Sequence, residues 1–316
     1  MNMESALARK NETSLKNSHS VSSLFEQYVD YLDVQSDETL RTYVSGVRHF
    51  AKYLKDNGND RPNRETIIEY KNFLGVTHKP TTCRIYLESV KLFFQWCEQE
   101  GFYTDIAKHV KAPKLSEGHL RDCLTAEQIR TCLDTIDTSS IQGKRDYAIF
   151  ALMATCGLRD CEVMRANIED IRNVGGQTVI FVQGKGRTEK TDFIPLSACV
   201  EKAIRSYISA RESYKDNSPL FVSLSNNSIA KRLSTRSVSG TVKKIMKTAG
   251  YDSSRLTAHS LRHSAVTLAL LDGNDLQTVQ AFARHASLNT TMIYAHNLDK
   301  MNNRCSQSVS DCIFNA

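Results

Sequence analysis

The 316-residue chain has no apolar stretch approaching the roughly 20 residues of a membrane-spanning helix; its longest apolar runs are a handful of residues. That excludes a helical membrane protein. The opening residues, MNMESALARKNETSLKNSHS, have no apolar centre of the kind a signal peptide needs. A cytoplasmic protein is therefore expected. The 9 cysteines include no C-x-x-C pair, so reduced thiols are expected rather than a disulfide framework or a structural zinc site. There is no internal repeat and no low-complexity tract. What remains is a composition 41% hydrophobic and 24% charged, ordinary for a globular protein and long enough for two domains.

Acidic residues are scarce in one place. The net charge is +6, and between Ser225 and Arg262 lie Lys231, Arg232, Arg236, Lys243, Lys244, Lys247, Arg255 and Arg262, opposed only by Asp252. A solvated helix face normally mixes signs, so this segment reads as a phosphate-facing surface, and its partner as nucleic acid.

The expected fold is mainly α with a small β-hairpin or sheet, in two domains. Residues 1–19 read as a disordered leader. Residues 20–106 read as a helical domain: Val21, Leu24, Tyr28, Val29 and Leu32, then Leu40, Tyr43, Val47, Phe50 and Leu54, recur at helical spacing, and two more helices follow. Residues 107–122, with Pro113 and Gly118, form the expected linker. Residues 123–300 form a second, mixed domain. Thr125 and Gln128 stand at capping-box spacing at its first helix, and QTVIFVQGKGRTEKTDFIPL reads as a strand, a Gly-Lys-Gly turn and a second strand. In the tail, 301–316, Cys305, Val309, Cys312 and Ile313 fall at helical spacing.

The densest chemistry is in HSLRHSAVTLALL, His259 to Leu271, and in ARHASLNTTMIYAHN, with His285 and Tyr294. The pair His259 and His263 could hold zinc, but an H-E-x-x-H hydrolase needs a glutamate where Ser260 stands, and Arg262 puts a fixed cation beside the site. No metal is expected. An anion suits the pattern better. Arg159 follows the helix boundary at Gly157, Arg262 opens another helix, and two guanidiniums at a helix N-terminus clamp a phosphate. His259 and His285 add donors, Lys185 sits between glycines at a hairpin tip, and Tyr294 brings a hydroxyl nucleophile.

On GLRDCEV, VQGKGRTEKTDFIPL, HSLRHSAVTLALLDGNDLQTVQ and ARHASLNTTMIYAH, in that order across residues 157–296, the chain resembles the tyrosine recombinases of the phage-integrase family, at the compact Xer-like size. The helical region 20–105 resembles that family's core-binding domain. The resemblance implies a site-specific recombinase or integrase with catalytic residues Arg159, Lys185, His259, Arg262 and His285 and the nucleophile Tyr294, with Glu162 supporting the pocket. His263 and His296 fall outside this set and read as structural. It implies a covalent 3′-phosphotyrosyl intermediate, Lys185 as the acid for the leaving oxygen, and His259 as the base for Tyr294, with no cofactor. Its partners would be double-stranded core-type sites bound by a homotetramer on two duplexes, with accessory or partner recombinase proteins in addition. Nucleoid association in the cytoplasm follows from those partners.

Backbone-tracking contacts are expected from Lys231, Arg232, Lys243, Lys244 and Lys247, and base readout from Arg84 and Lys91 on the fourth helix. The short leader implies no arm-site-binding domain, and the tail helix could dock on a neighbouring protomer. Two other readings are a type IB topoisomerase-like nicking and rejoining enzyme, and a non-cleaving DNA-binding regulator. One departure stands out: the family's usual Leu-Gly-His is Ala283-Arg284-His285 here. Arginine tolerates a left-handed backbone poorly, so the turn presenting His285 is expected to differ, or Arg284 to contact DNA or a partner subunit.

Overall fold

Among the described residues, four helices built on aromatic residues make up most of the first part of the chain. A computed structural model describes residues 21–32, 37–114, 122–184, 187, 189–226 and 228–314, and its chain divides into two units, 1–117 and 118–316. The leader lies outside the described residues.

The first unit contains α1 (Val21–Tyr31), α2 (Asp37–Asp56), α3 (Arg64–Thr77) and α4 (Pro80–Gln99). Proline at the first position of α4 needs no N–H there. Asn63 caps α3, accepting from the Thr66 N–H at 3.0 Å while the Thr66 hydroxyl accepts from the Asn63 N–H at 3.1 Å. Cys83, Leu87, Val90, Phe94 and Cys97 line one face of α4 and are buried with Val47, Phe50 and Leu54 of α2. Tyr28 of α1 meets Phe93 edge-on at 5.2 Å. Each such buried side chain contributes about 1.5–3 kcal/mol. Ala107 and Val110, placed in the linker by sequence, are 0% and 4% exposed and belong to this core. The residues following α4 fold back onto it, so the chain leaves the first unit later than its lysines and proline suggest.

The second unit is organised around α6 (Ile141–Cys156), which follows α5 (Ala126–Asp134). Thr125 and Gln128 form the expected capping box, with reciprocal bonds of 3.2 and 2.9 Å. Ala148 through Ala154 are all at most 5% exposed, so that stretch of α6 is apolar all round, as a helix segment buried in a core must be. Leucines, valines and isoleucines of α8 (Ala198–Ser209), α9 (Thr235–Thr248) and α10 (Ala258–Leu271) join the same core, and a short α7 (Asp160–Arg165) follows α6.

The β region is a three-stranded antiparallel sheet in the order β1 (Ile171–Val174), β2 (Gln177–Val182), β3 (Asp192–Pro195). The expected β2–β3 pair is present, with Val182 opposite Asp192 and Phe181 opposite Phe193. The first strand was not foreseen. It is four residues long and mostly exposed, and it turns into β2 through Gly175 and Gly176, both at positive φ, as a two-residue hairpin loop requires. The chain ends in α11 (Leu276–Ala283), α12 (Leu288–Asn302) and α13 (Cys305–Phe314). No described helix is long and apolar enough to cross a membrane.

Candidate active site

Helix termini deliver the site. The central helix α6 stops at Gly157, whose left-handed backbone (φ 57, ψ 30) turns the chain sharply. A side chain there would be strained by the left-handed backbone, although a Cβ would meet Phe282 at an ordinary contact distance of 3.5 Å. The turn places Arg159 as the residue preceding α7, with its own N–H on Glu162 Oε2 at 2.9 Å and its guanidinium on Oε1 at 2.7 Å. Helix α10 begins at a Thr257–Ser260 capping box, and its first two turns are buried except for His259. Arg262 therefore points inward and is 1% exposed, donating from Nη1 to the Gly157 carbonyl at 2.6 Å and from Nη2 to the Ala283 carbonyl. One guanidinium thus pins the end of α6 to the end of α11.

Arg284 takes the left-handed conformation (φ 53, ψ 46) that a glycine would occupy more easily. Its side chain turns inward and is 8% exposed. It donates to the Phe282 carbonyl at 2.7 Å, to the Gly157 carbonyl at 3.1 Å and to Glu162 Oε2 at 3.0 Å. The turn keeps its left-handed geometry because these bonds hold it, and the guanidinium faces Glu162 rather than solvent. Among the described residues, its buried Nε has no hydrogen-bond partner. Three guanidiniums, Arg159, Arg262 and Arg284, converge on one buried carboxylate and one carbonyl. Burial pushes the Glu162 carboxyl up, but Arg284, the Arg159 N–H and the Arg159 guanidinium outweigh it and hold it below its ordinary value. Arg262 is pulled down to about 9 by burial and by Arg159 and Arg284. The site has surplus positive charge, which an anion would neutralise.

His285 follows directly. Its Nδ1 is 2.9 Å from the Thr291 hydroxyl. Burial, then Arg262, Arg159, Arg284 and His259, lower it to about 4, so at pH 7 it is neutral. If Nδ1 accepts from Thr291, Nε2 carries the proton and can donate to a phosphate oxygen. A stability effect follows. The unfolded imidazole titrates near 6.5 and the folded one near 4, so between those values only the unfolded chain binds the proton, and stability falls as pH drops through that window. In thermal melts, His285→Gln should lose less stability than the unaltered chain between pH 6.5 and 4; parallel curves would refute this.

Tyr294 stands three residues after Thr291 in α12, and the two are 5% and 0% exposed. Its ring packs with Val266, Val279 and Ala283 and stacks on His285 at 6.0 Å. Burial pushes its hydroxyl up to about 12, against the opposing pull of Arg262 and Arg159. The hydroxyl is hydrogen-bonded to Nδ1 of His263, a residue read from sequence as structural. His259, read as its base, is exposed and stands edge-on to the His263 ring at 4.6 Å. His296 is exposed. Arg159, Glu162, Arg262, His285 and Tyr294 thus come together, with His259 one ring away. Lys185, on the β2–β3 connection, lies outside the described residues.

The basic segment divides. Arg232 remains exposed but is tied back to the protein, onto the Met164 and Ala166 carbonyls and Asn167 Oδ1 at 2.8, 3.0 and 2.6 Å, at the end of α7. Lys243 and Lys247 pair with Asp252 at 3.4 and 3.1 Å, so the one opposing acid engages two of the lysines. Lys231 and Lys244 are exposed. In the first unit Arg84 is exposed and Lys91 lies 3.8 Å from Glu88.

Residues 122–301 match the model of the phage integrase family, and residues 25–101 match that of the phage integrase N-terminal SAM-like domain. A tyrosine recombinase XerC of Chlamydia caviae is 28% identical over 301 residues, covering 87% of this chain and 94% of its own. A tyrosine recombinase XerD of Listeria monocytogenes is 28% identical over 288 residues, covering 86% and 93%. Among solved structures, a XerH site-specific recombinase bound to a palindromic difH substrate superposes with a TM-score of 0.73 at 23% identity, over 98% of this chain and 95% of that one. A lambda integrase dimer bound to a core site gives 0.65 at 17%, over 92% and 97%. The structural likenesses establish the two-part, mostly helical fold.

Proposed function

The chain belongs to the phage integrase family, and from that premise we propose that it is a site-specific DNA recombinase whose nucleophile is Tyr294. The observation that supports the assignment best is convergence: Arg159 before α7, Arg262 in α10, His285 after α11 and Tyr294 in α12 meet at one surplus of positive charge.

The chemistry follows from those groups. The Tyr294 oxygen attacks a DNA phosphorus, a P–O bond to the 5′-oxygen breaks, and a 3′-phosphotyrosyl bond and a free 5′-hydroxyl result. One phosphodiester replaces another, so the step needs no ATP. Arg159 and Arg262 offset the charge that gathers on the non-bridging oxygens, and neutral His285 donates a further hydrogen bond. Two fixed guanidiniums thereby fill the electrostatic role that metal ions have in many nucleases. Lys185 protonates the departing 5′-oxygen. Glu162 holds Arg159 in place.

The partners in this reading are double-stranded core-type sites, bound by four copies on two duplexes, and accessory proteins select the outcome of exchange. The relatives' names and the DNA-bound state of the XerH and lambda integrase structures support DNA as substrate. Lys231 and Lys244 track the backbone and Arg84 and Lys91 face base edges, while Arg232, Lys243 and Lys247 act first within the protein. Helix α13 has no buried residue, with Val309 at 58%, Ile313 at 62% and Phe314 at 79% exposed, and it docks on a neighbouring copy.

The test is strand exchange. Two labelled duplexes, each carrying the site from the flanks of the protein's own gene, are incubated with the protein in EDTA without ATP. Recombinant duplexes joined across the site are expected. Relaxation of supercoiled DNA without exchange would favour a topoisomerase-like enzyme, and binding without cleavage a regulator.

A further inference from the structure

Attack by Tyr294 requires that its hydroxyl lose a proton, and the surroundings make that loss unfavourable. The group is pushed up to about 12, which leaves on the order of one phenolate in 100,000 at pH 7. Arg262 and Arg159 favour the phenolate but do not outweigh burial. With Tyr294 only 5% exposed, bulk water is a poor acceptor. His285 is poor as well, since it is held near 4 and its Nδ1 faces the Thr291 hydroxyl.

We propose that His263 is a catalytic residue, the group that takes the proton of Tyr294 as the tyrosine attacks DNA, with His259 as its route to solvent. The inference rests on the recombinase reading above. Nδ1 of His263 is hydrogen-bonded to the Tyr294 hydroxyl, the two rings stand 5.3 Å apart, and His263 is 7% exposed. A neutral imidazole with its hydrogen on Nε2 presents the Nδ1 lone pair to that hydroxyl.

The step balances. The Tyr294 O–H bond breaks and its proton goes to Nδ1. The oxygen–phosphorus bond forms, the bond to the 5′-oxygen breaks, and that oxygen takes a proton from Lys185. The imidazolium left at His263 stands one ring from solvent, because His259 is exposed and 4.6 Å away edge-to-face. On religation the imidazolium form of His263 returns a proton from Nδ1 to the tyrosine oxygen as the 5′-hydroxyl attacks. The i, i+4 spacing that could suggest a metal site thus serves proton transfer: a buried acceptor at His263 and an exposed outlet at His259, one turn apart on α10.

The experiment compares two nicked duplexes carrying the cleaved site, one with an ordinary scissile phosphate and one with sulfur in place of the bridging 5′-oxygen. A thiolate leaves without a proton donor, so the second substrate removes the need for an acid and keeps the need for a base. His263→Phe should form the covalent adduct about 10²–10⁴-fold more slowly than the unaltered chain on both substrates, with DNA binding retained. Lys185→Ala should be slow on the phosphate and recover on the sulfur substrate. His263→Ala, which opens space beside the tyrosine, should regain adduct formation with added imidazole, and this second variant decides the matter if the phenylalanine variant does not fold. Adduct formation by His263→Phe at the unaltered rate, recovery of it on the sulfur substrate, or no response of folded His263→Ala to imidazole would each overturn the assignment. Absence of any adduct from the unaltered chain would instead overturn the recombinase reading, and this inference with it.

Discussion

Arg262→Gln should bind DNA nearly as well as the unaltered chain and cleave it about 10²–10³-fold more slowly, the usual cost of removing one preorganised donor from a developing oxyanion. Arg262 is held from behind by the Gly157 and Ala283 carbonyls. Its orientation is thus fixed before DNA arrives, and no reorganisation is needed at the moment of reaction. The same bonds tie α6 to α11, so a moderate loss of thermal stability accompanies the loss of rate. Arg262→Lys keeps the charge and loses the planar fork; it should recover binding fully and cleavage only in part. The assay is single-turnover adduct formation alongside a gel shift. A variant that loses binding and cleavage in equal measure would show that Arg262 serves binding alone.

The second large effect is on stability. Glu162→Gln should lower the melting temperature of the second unit by on the order of 10 °C. The Glu162 side chain is fully buried and pairs with both Arg159 at 2.7 Å and Arg284 at 3.0 Å. Neutralising it strands Arg284, itself 8% exposed, beside Arg159 and Arg262. Breaking a buried pair in this way costs about 3–5 kcal/mol because the remaining charge stays uncompensated. Arg284→Gly in the same background removes that charge and relieves the left-handed backbone at once. The double variant should therefore melt higher than Glu162→Gln alone. Simple addition of the two single effects would show that Arg284 and Glu162 are not coupled.

Much of the fold was legible because its signals are local. The capping box at Thr125, the proline starting α4 and the glycine ending α6 each act within a few residues, and the helical periods of α2 and α4 follow from one buried face. Strand β1 escaped notice because four mostly exposed residues carry no apolar alternation, although the Gly175-Gly176 pair marked its turn. Ala107 and Val110 were misplaced because lysines and a proline around them read as linker, and burial by α4 is a tertiary matter.

At the site, Arg159, Glu162, Arg262, His285 and Tyr294 were marked by residue type and motif order. What could not be read was direction. Arg284 and Arg232 look like DNA contacts in a basic chain, yet both are bonded to backbone carbonyls, Arg284 buried and Arg232 at the surface. His263 and Thr291 act through tertiary contacts, His263 with Tyr294 of another helix and Thr291 with His285 in the loop before its own. Their spacing gave one clue, since His263 sits one turn beyond His259 and Thr291 one turn before Tyr294.

The central claim, covalent catalysis by Tyr294, is tested most directly by trapping the adduct. Labelled DNA from the flanks of the protein's own gene, nicked close to the scissile phosphate, is incubated with the protein in EDTA and run on a denaturing gel beside Tyr294→Phe. A slow-migrating species formed by the unaltered chain, and absent with Tyr294→Phe although that variant still shifts the DNA, is the expected result. An adduct that persists with Tyr294→Phe, or none at all from unaltered protein that binds the same DNA, would contradict it.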